Sequence, residues 1–177
     1  MDAGMNTNIS PEETLTRMVA QYEVSLLRTC YMMLRDQPLA EDATQETFLK
    51  AYKALPTFRG ECSEKTWLMR IAMNTCRDMR RGAWFRHIDR RVTPETLPEP
   101  SRDMLPEEDS LAQAILSLPV KYREVILLRF YQDMTMKEIA DVLNIAVSTV
   151  GKRIHQACTK LEGMLRKEDV YEYGNHA

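Results

Sequence analysis

Residues 135–165 constrain this chain more than any other stretch. Thr135 is a residue type that caps helices, and Ile139, Ala140, Val142 and Leu143 behind it put an apolar stripe on a short helix. Asn144 follows where the chain must turn, and Asn tolerates the left-handed backbone conformation better than most residues. Ile145 plugs that turn, and a longer helix begins at Val147. Placed at about 100° per residue, Val147, Val150, Ile154, Ala157, Cys158, Leu161 and Leu165 fall on one side of it. Ser148, Thr149, Lys152, Arg153, Gln156, Thr159 and Lys160 fall on the other, with His155 at the edge. The apolar side packs on the preceding helices, and the opposite side carries hydroxyls, an amide and cations. That is a helix-turn-helix with the groups a major-groove reader needs: Lys or Arg for guanine, Gln for adenine, hydroxyls for phosphates or bases. The helix N-terminus adds a dipole favourable to phosphate. The competing reading is an ordinary amphipathic helix in a bundle.

The rest of the chain is also helical in pattern. Ser10-Pro11-Glu12-Glu13 is a helix start, with a capping Ser, Pro at the first helical position and acids in the first turn. A helix runs from there to about Arg35 and is broken by Asp36-Gln37-Pro38; a second spans about 39–55 and ends at Pro56. After a loop containing Gly60, a third spans about 65–81, with Gly82 as its stop. Pro94, Pro98, Pro100 and Pro106, mixed with acids, mark a linker. Further helices fall at about 108–117, 120–131, 135–143 and 147–166. The expected architecture is all-α: a leader (1–9), a first small domain (10–82), a flexible linker (83–109), a second small domain (110–168) and a tail (169–177).

Net charge is only −2 over 177 residues, but its distribution is uneven. Residues 59–91 hold nine Lys/Arg against four acids, 92–109 hold one Arg against six acids, and 147–167 hold five Lys/Arg against one Glu. Two basic blocks flank an acidic one, a pattern the near-neutral sum conceals. The bland alternative is a set of solvated helix faces.

Two faces of the first domain stand out. On the second helix, Ala40, Ala43, Thr47, Phe48, Ala51 and Leu55 form the buried side, while Asp42, Gln45, Glu46, Leu49 and Lys53 cluster opposite. An acidic and amide face with one exposed Leu suits protein docking; it also suits plain solvation. On the third helix, Arg70, Asn74, Arg77 and Arg81 recur as a single basic stripe, with Trp67 at its margin. Guanidinium groups that track a backbone, beside a ring that stacks on bases, fit single-stranded nucleic acid. A core position is the rival reading for Trp67.

Several function classes find no support. Cys30, Cys62, Cys76 and Cys158 are scattered, with no C-x-x-C pair and no zinc spacing to a His, and read as reduced thiols of a cytosolic protein. No signal-peptide pattern opens the chain, and its apolar runs are far short of a membrane span. Phosphate-binding loops, catalytic triads and paired metal-binding histidines are missing. No catalytic residue, metal or cofactor is therefore expected.

At this point a resemblance becomes specific. The run LAEDATQETFLKAYKALPTFRGECSEKTWLMRIAMNTCRDMRR resembles domain two of extracytoplasmic-function sigma factors, and LPVKYREVILLRFYQDMTMKEIADVLNIAVSTVGKRIHQACTKLEGML resembles their domain four. With the leading helix, the likeness covers about residues 15–166. It implies that Asp42, Gln45, Glu46, Phe48 and Leu49 dock on the clamp helices of the RNA polymerase largest subunit, although the helical wheel buries Phe48. It implies a base-capturing loop for the −10 promoter element, with Phe58, Arg59, Glu61, Cys62, Ser63 and Lys65. Trp67, Arg70, Asn74, Arg77 and Arg81 would face the melting −10 strand. Ser148, Thr149, Lys152, Arg153, His155, Gln156 and Lys160 would read the −35 duplex. Partners implied are core polymerase, double- and single-stranded promoter DNA and an anti-sigma factor, with no membrane insertion. The sequence departs from the family pattern at Gly151, where many relatives carry Lys or Arg, and at Cys62, where Ser is common.

Outside this resemblance two readings remain open. One is a one-component helix-turn-helix regulator with a ligand-binding first domain. The other is a recombinase or transposase, for which only Asp42 and Glu46 offer acids on one face. On the sigma-factor reading, the linker spans up to roughly 80 Å when extended, more than two turns of DNA at ~34 Å each. Both domains then reach one promoter, and tethering makes two weak readers one selective one.

Overall fold

The computed structural model describes residues 10–89 and 110–174, with side chains over 10–82 and 110–166. Regular structure among them is helical throughout. The expected leader, most of the expected linker and the last three residues lie outside the described residues.

Helix α1 (Pro11–Leu34) starts as the sequence indicates. The Ser10 hydroxyl accepts from the Glu13 N–H at 3.1 Å, and the Glu13 carboxylate accepts from the Ser10 N–H at 3.0 Å, a reciprocal capping box. Arg35 ends the helix in the left-handed conformation, with φ 58°. Helix α2 (Gln37–Ala54) follows at once, capped by Asp36, whose carboxylate accepts from the Leu39 N–H at 2.8 Å. Pro38 sits in its first turn, where a missing N–H has no helical partner to lose. The Asp-Gln-Pro break thus ends one helix and starts the next, two residues earlier than the spacing predicted.

A 3-10 turn (Leu55–Thr57) leads through a loop to α3 (Glu64–Asp89). Its first turn is tied to α1 by a bidentate pair between Arg17 and Glu64. The helix does not stop at Gly82 but continues into the segment read as linker. A Cβ at Gly82 would meet nothing within 4 Å. One interior Gly weakens a helix by only about 1 kcal/mol, too little by itself to end one. The core of this three-helix domain buries Met18, Leu26 and Met33 of α1 against Leu68, Met69 and Met73 of α3. Ala40, Ala43 and Ala51 make the buried side of α2; small residues at a helix contact shorten the interaxial distance.

The second domain contains α4 (Ser110–Ser117), α5 (Val120–Ile126), α6 (Met136–Leu143) and α7 (Val147–Gly174). The single helix expected over 120–131 widens after Ile126 into a π turn, Leu127–Tyr131. There the Gln132 N–H reaches back to the Leu127 carbonyl at 3.0 Å, the longer-range bond that defines such a turn. Ile115, Leu118, Val125, Leu127, Leu128, Ile139, Val150 and Ala157 are buried at its centre. Helix α7 runs beyond the expected end near Arg166, to Gly174.

The two domains pack together, α3 against α6 and α1 against α5 and the π turn. Arg123 of α5 is 6% exposed and sits at the junction. Its guanidinium donates to the carbonyls of Met32 and Met33 at the end of α1, and to those of Leu116 and Leu118 around the end of α4. Those carbonyls are orphans of two helix C-termini, where a cation is favoured. Desolvation pushes the Arg123 pKa down to about 10, with the charges of Arg35 and Arg80 adding to the effect.

Candidate nucleic-acid interface

The helix-turn-helix forms as the sequence predicts. Thr135 caps α6 in a second capping box: its hydroxyl accepts from the Glu138 N–H at 3.3 Å, and the Glu138 carboxylate accepts from the Thr135 N–H at 2.8 Å. That N–H, then the Thr135 hydroxyl, hold the Glu138 carboxyl below its ordinary pKa. Asn144 adopts the left-handed conformation (φ 53°, ψ 52°) and closes the turn, and Ile145 packs on the core. Along α7, Val150, Ala157 and Leu161 are buried, and Ile154, Cys158 and Leu165 pack beside them. Ser148, Lys152, His155, Gln156 and Lys160 are exposed; Thr149 and Arg153 are half-buried. Val147 is 45% exposed, on the rim rather than in the core.

The wheel did not identify a residue beneath this face. Tyr122 of α5 is 8% exposed, and its hydroxyl donates to Gln156 Oε1 at 3.1 Å. The ammonium groups of Lys121 and Lys160 lie 4.9 and 5.7 Å from its ring centroid, within cation–π range. Lys121 thus joins the cationic face of α7 from another helix.

In the first domain, Phe58 and Trp67 stack with centroids 4.5 Å apart and planes 21° from parallel. Trp67 is half-buried, and Phe58 covers one of its ring faces. Beside the pair lies an open cleft of about 450 Å³ lined by Thr57, Phe58, Arg59, Glu61, Cys62, Trp67, Arg70 and Asp141, in the size range of small-molecule sites. Ser63 and Lys65 lie off this lining. Ser63 caps the start of α3, its hydroxyl accepting from the Thr66 N–H at 3.1 Å.

The basic stripe of α3 divides. Asn74 is exposed, and Arg81 is exposed beside Asp78 at 3.5 Å. Arg70 and Arg77 turn to the second domain. Arg70 Nε donates to the Asp141 carbonyl at 3.2 Å, and Arg77 donates to both oxygens of Glu124 at 2.8 and 3.1 Å. Glu124 raises the Arg77 pKa above its ordinary value. Lys65 donates to the Gln132 carbonyl, and the Thr66 hydroxyl to Glu138 at 3.3 Å. The Gln132 amide reaches back to Thr29 at 2.7 Å. The two domains joined by the expected linker are docked here, and Arg70 and Arg77, which their spacing puts on an outward stripe, take part in the contact.

On α2, Asp42, Gln45 and Leu49 are exposed and Glu46 half-buried. Phe48 is 8% exposed and belongs to the core, as the wheel indicates, so it offers a partner little surface. Leu49, at 46% exposed, is the apolar residue on this face, and Val24 of α1 is 63% exposed. Cys30 and Cys76 are buried free thiols in mutual contact. That contact and burial keep the Cys76 thiol far above its ordinary pKa. Among the described residues no three metal-binding side chains gather, and no helix is long and apolar enough to cross a membrane.

Comparison with known proteins matches these two domains one by one. The Sigma-70 region 2 family model matches residues 18–86, and Sigma-70, region 4 matches residues 108–161. The ECF RNA polymerase sigma factor SigW of Bacillus subtilis is 32% identical over 169 residues, covering 88% of this chain and 90% of that protein. The RNA polymerase sigma-H factor of Pseudomonas aeruginosa is 32% identical over 163 residues, covering 84% of each. Among solved structures, CnrH in complex with the cytosolic domain of CnrY aligns with a TM-score of 0.66 and 26% identity, over 88% of this chain and 90% of CnrH. The sigma factor RpoE of Bartonella quintana, solved with the anti-sigma factor NepR, shares the fold with a TM-score of 0.74 at 20% identity, over 87% of this chain and 98% of RpoE. This chain therefore belongs to the extracytoplasmic-function RNA polymerase sigma factors, a family of promoter-specific transcription initiation factors rather than enzymes.

Proposed function

We propose that this protein binds core RNA polymerase through the first domain and reads a promoter at two places. The α2 face with Asp42, Gln45, Glu46 and Leu49 docks on the clamp helices of the polymerase largest subunit. The polar face of α7 enters the major groove of the −35 duplex. The loop from Phe58 to Lys65 captures a base extruded from the −10 element, and α3 follows the melted strand with Trp67, Arg70, Asn74, Arg77 and Arg81.

The observation that carries this reading is the exposed polar face of α7. Ser148, Lys152, Gln156 and Lys160 stand open to solvent beyond the left-handed turn at Asn144. The Phe58–Trp67 stack and the first-domain wall of the cleft, with Arg59, Glu61 and Cys62, support the second contact. Extruding a base costs a few kcal/mol of unstacking, and aromatic stacking and cation contacts offset that cost. A one-component regulator gives no account of the region 2 match over the first domain.

The docked arrangement adds a condition. Arg70 and Arg77 are held by the second domain, so the −10 strand reaches them only after the domains part. Binding to polymerase separates them along the promoter, and an anti-sigma factor acts by keeping them together. The two solved structures described above are complexes with a second protein, which supports that partner.

The test is a comparison of closed and open promoter complexes formed by holoenzyme carrying Arg70→Ala. Opening, read by permanganate reactivity of unpaired thymines, should fall much more than closed-complex binding. Equal loss of both removes Arg70 from the −10 contact.

A further inference from the structure

The recognition helix carries one amide, Gln156, in the middle of its polar face, with Lys152 one turn before it and Lys160 one turn after. A free Gln is the matched reader of adenine, because its oxygen accepts from N6 while its nitrogen donates to N7. Here the amide is not free. The Tyr122 hydroxyl donates to Gln156 Oε1 at 3.1 Å, which holds the oxygen toward α5 and turns the NH2 group outward. The phenol is itself held firmly. Tyr122 is 8% exposed, packed in the α5–α7 contact, with Lys121 and Lys160 ammonium groups at 4.9 and 5.7 Å from its ring.

We infer that Tyr122 is a positioning residue that sets the base preference of Gln156. By holding the amide oxygen toward α5, it presents the Gln156 NH2 group to the groove, which favours guanine over adenine at the base pair it meets. Guanine presents two acceptors in the major groove, N7 and O6, whereas adenine presents one acceptor and one donor, N6–H2. An amide whose N–H groups face the base can donate to both guanine atoms, whereas the adenine amino group then faces another donor. The Lys121 and Lys160 ammonium groups near the ring help to keep the phenol in place. The inference rests on the proposed −35 reading of α7.

The test uses holoenzyme of the full chain with core polymerase, selected against a promoter library randomised across the −35 element. Three proteins are compared: wild type, Tyr122→Phe and Gln156→Ala. Phenylalanine keeps the ring, its burial and both cation contacts, and removes only the hydroxyl. The expected result is a guanine preference at one position in the wild type that Gln156→Ala abolishes. Tyr122→Phe should move that position toward adenine, changing the guanine-to-adenine ratio by about fivefold or more, the lower range for a paired base contact. Preferences at the other positions should stay unchanged, which a mere loss of stability would not produce. If Gln156→Ala alters the profile but Tyr122→Phe leaves the ratio as it was, the positioning role is overturned and the −35 reading stands. If neither variant alters the profile, Gln156 does not read a base and the inference falls with it. If the wild type shows no preference across the element, the −35 reading itself fails.

Discussion

Arg77 of α3 donates from two guanidinium nitrogens to the two carboxylate oxygens of Glu124 on α5, at 2.8 and 3.1 Å. The pair joins the two domains, and Glu124 is almost wholly buried by it, with 5% of its side chain exposed. A carboxylate gripped by a guanidinium fork is the nearest protein equivalent of a phosphate in the same fork. Arg77 is therefore occupied by the second domain in the way a DNA backbone would occupy it.

Glu124→Gln should loosen the docked arrangement without unfolding either domain. A single compact body of this length has a radius of gyration on the order of 16 Å. Small-angle X-ray scattering should show a larger radius for the variant than for the wild type. Binding of a fluorescent −10 non-template oligonucleotide should tighten by up to about tenfold, the equivalent of a charge-assisted hydrogen bond of ~1.5 kcal/mol. Identical scattering and affinity would mean that the pair does not hold the domains.

Lys152 is exposed on the polar face of α7. Lys152→Ala should weaken −35 duplex binding, and the dependence of log affinity on log salt should become shallower by about 0.9 if one phosphate contact is lost. Titrations across a salt series measure both. An unchanged affinity and slope would place Lys152 outside the interface.

Gly151 lies inside α7, and a Cβ there meets only the Met136 sulfur at 3.8 Å, an ordinary contact. Gly151→Ala should therefore stabilise the second domain by up to about 1 kcal/mol through helix propensity. For a chain of this size that is roughly 2–4 °C in melting temperature, measurable by circular dichroism. A lower melting temperature would show that the glycine meets a constraint the helix does not reveal.

The Glu138 carboxyl titrates below its ordinary value of 4.5, chiefly because the Thr135 N–H and hydroxyl bond its charged form. A depressed folded pKa contributes stability that is complete above the unfolded value and is lost as pH falls through the folded one. Glu138→Gln preserves a capping partner but does not titrate. Its denaturation midpoint should lie below wild type near neutrality, where the charged carboxylate contributes, and converge on wild type as pH falls below 4.5. Parallel acid slopes for the two proteins would assign the titration elsewhere.

The local parts of this fold were legible in the sequence because their causes are local. Thr135, Asn144 and the apolar spacing of α7 each act within a turn or two, and Ser10 and Glu13 meet as neighbours on one helix end. The wheel also placed Phe48 inside and Leu49 outside correctly, since burial of α2 follows its period. Gly82 misled because one weak helix former, costing about 1 kcal/mol, was read as a stop. The domain contact was hidden for a different reason. Arg77 and Glu124, or Gln132 and Thr29, are linked across 47 and 103 residues, and no periodicity reports such a pairing. Tyr122 was missed because it lies on a different helix from the face it serves.

The most direct measurement is run-off transcription by purified core RNA polymerase over a genomic promoter library, with and without this protein. The expected result is transcripts from a restricted set of promoters sharing two short motifs at constant spacing, and none from core enzyme alone. Failure of the protein, free of any inhibitor, to associate with core polymerase or to add a single specific start site would contradict the proposed function outright.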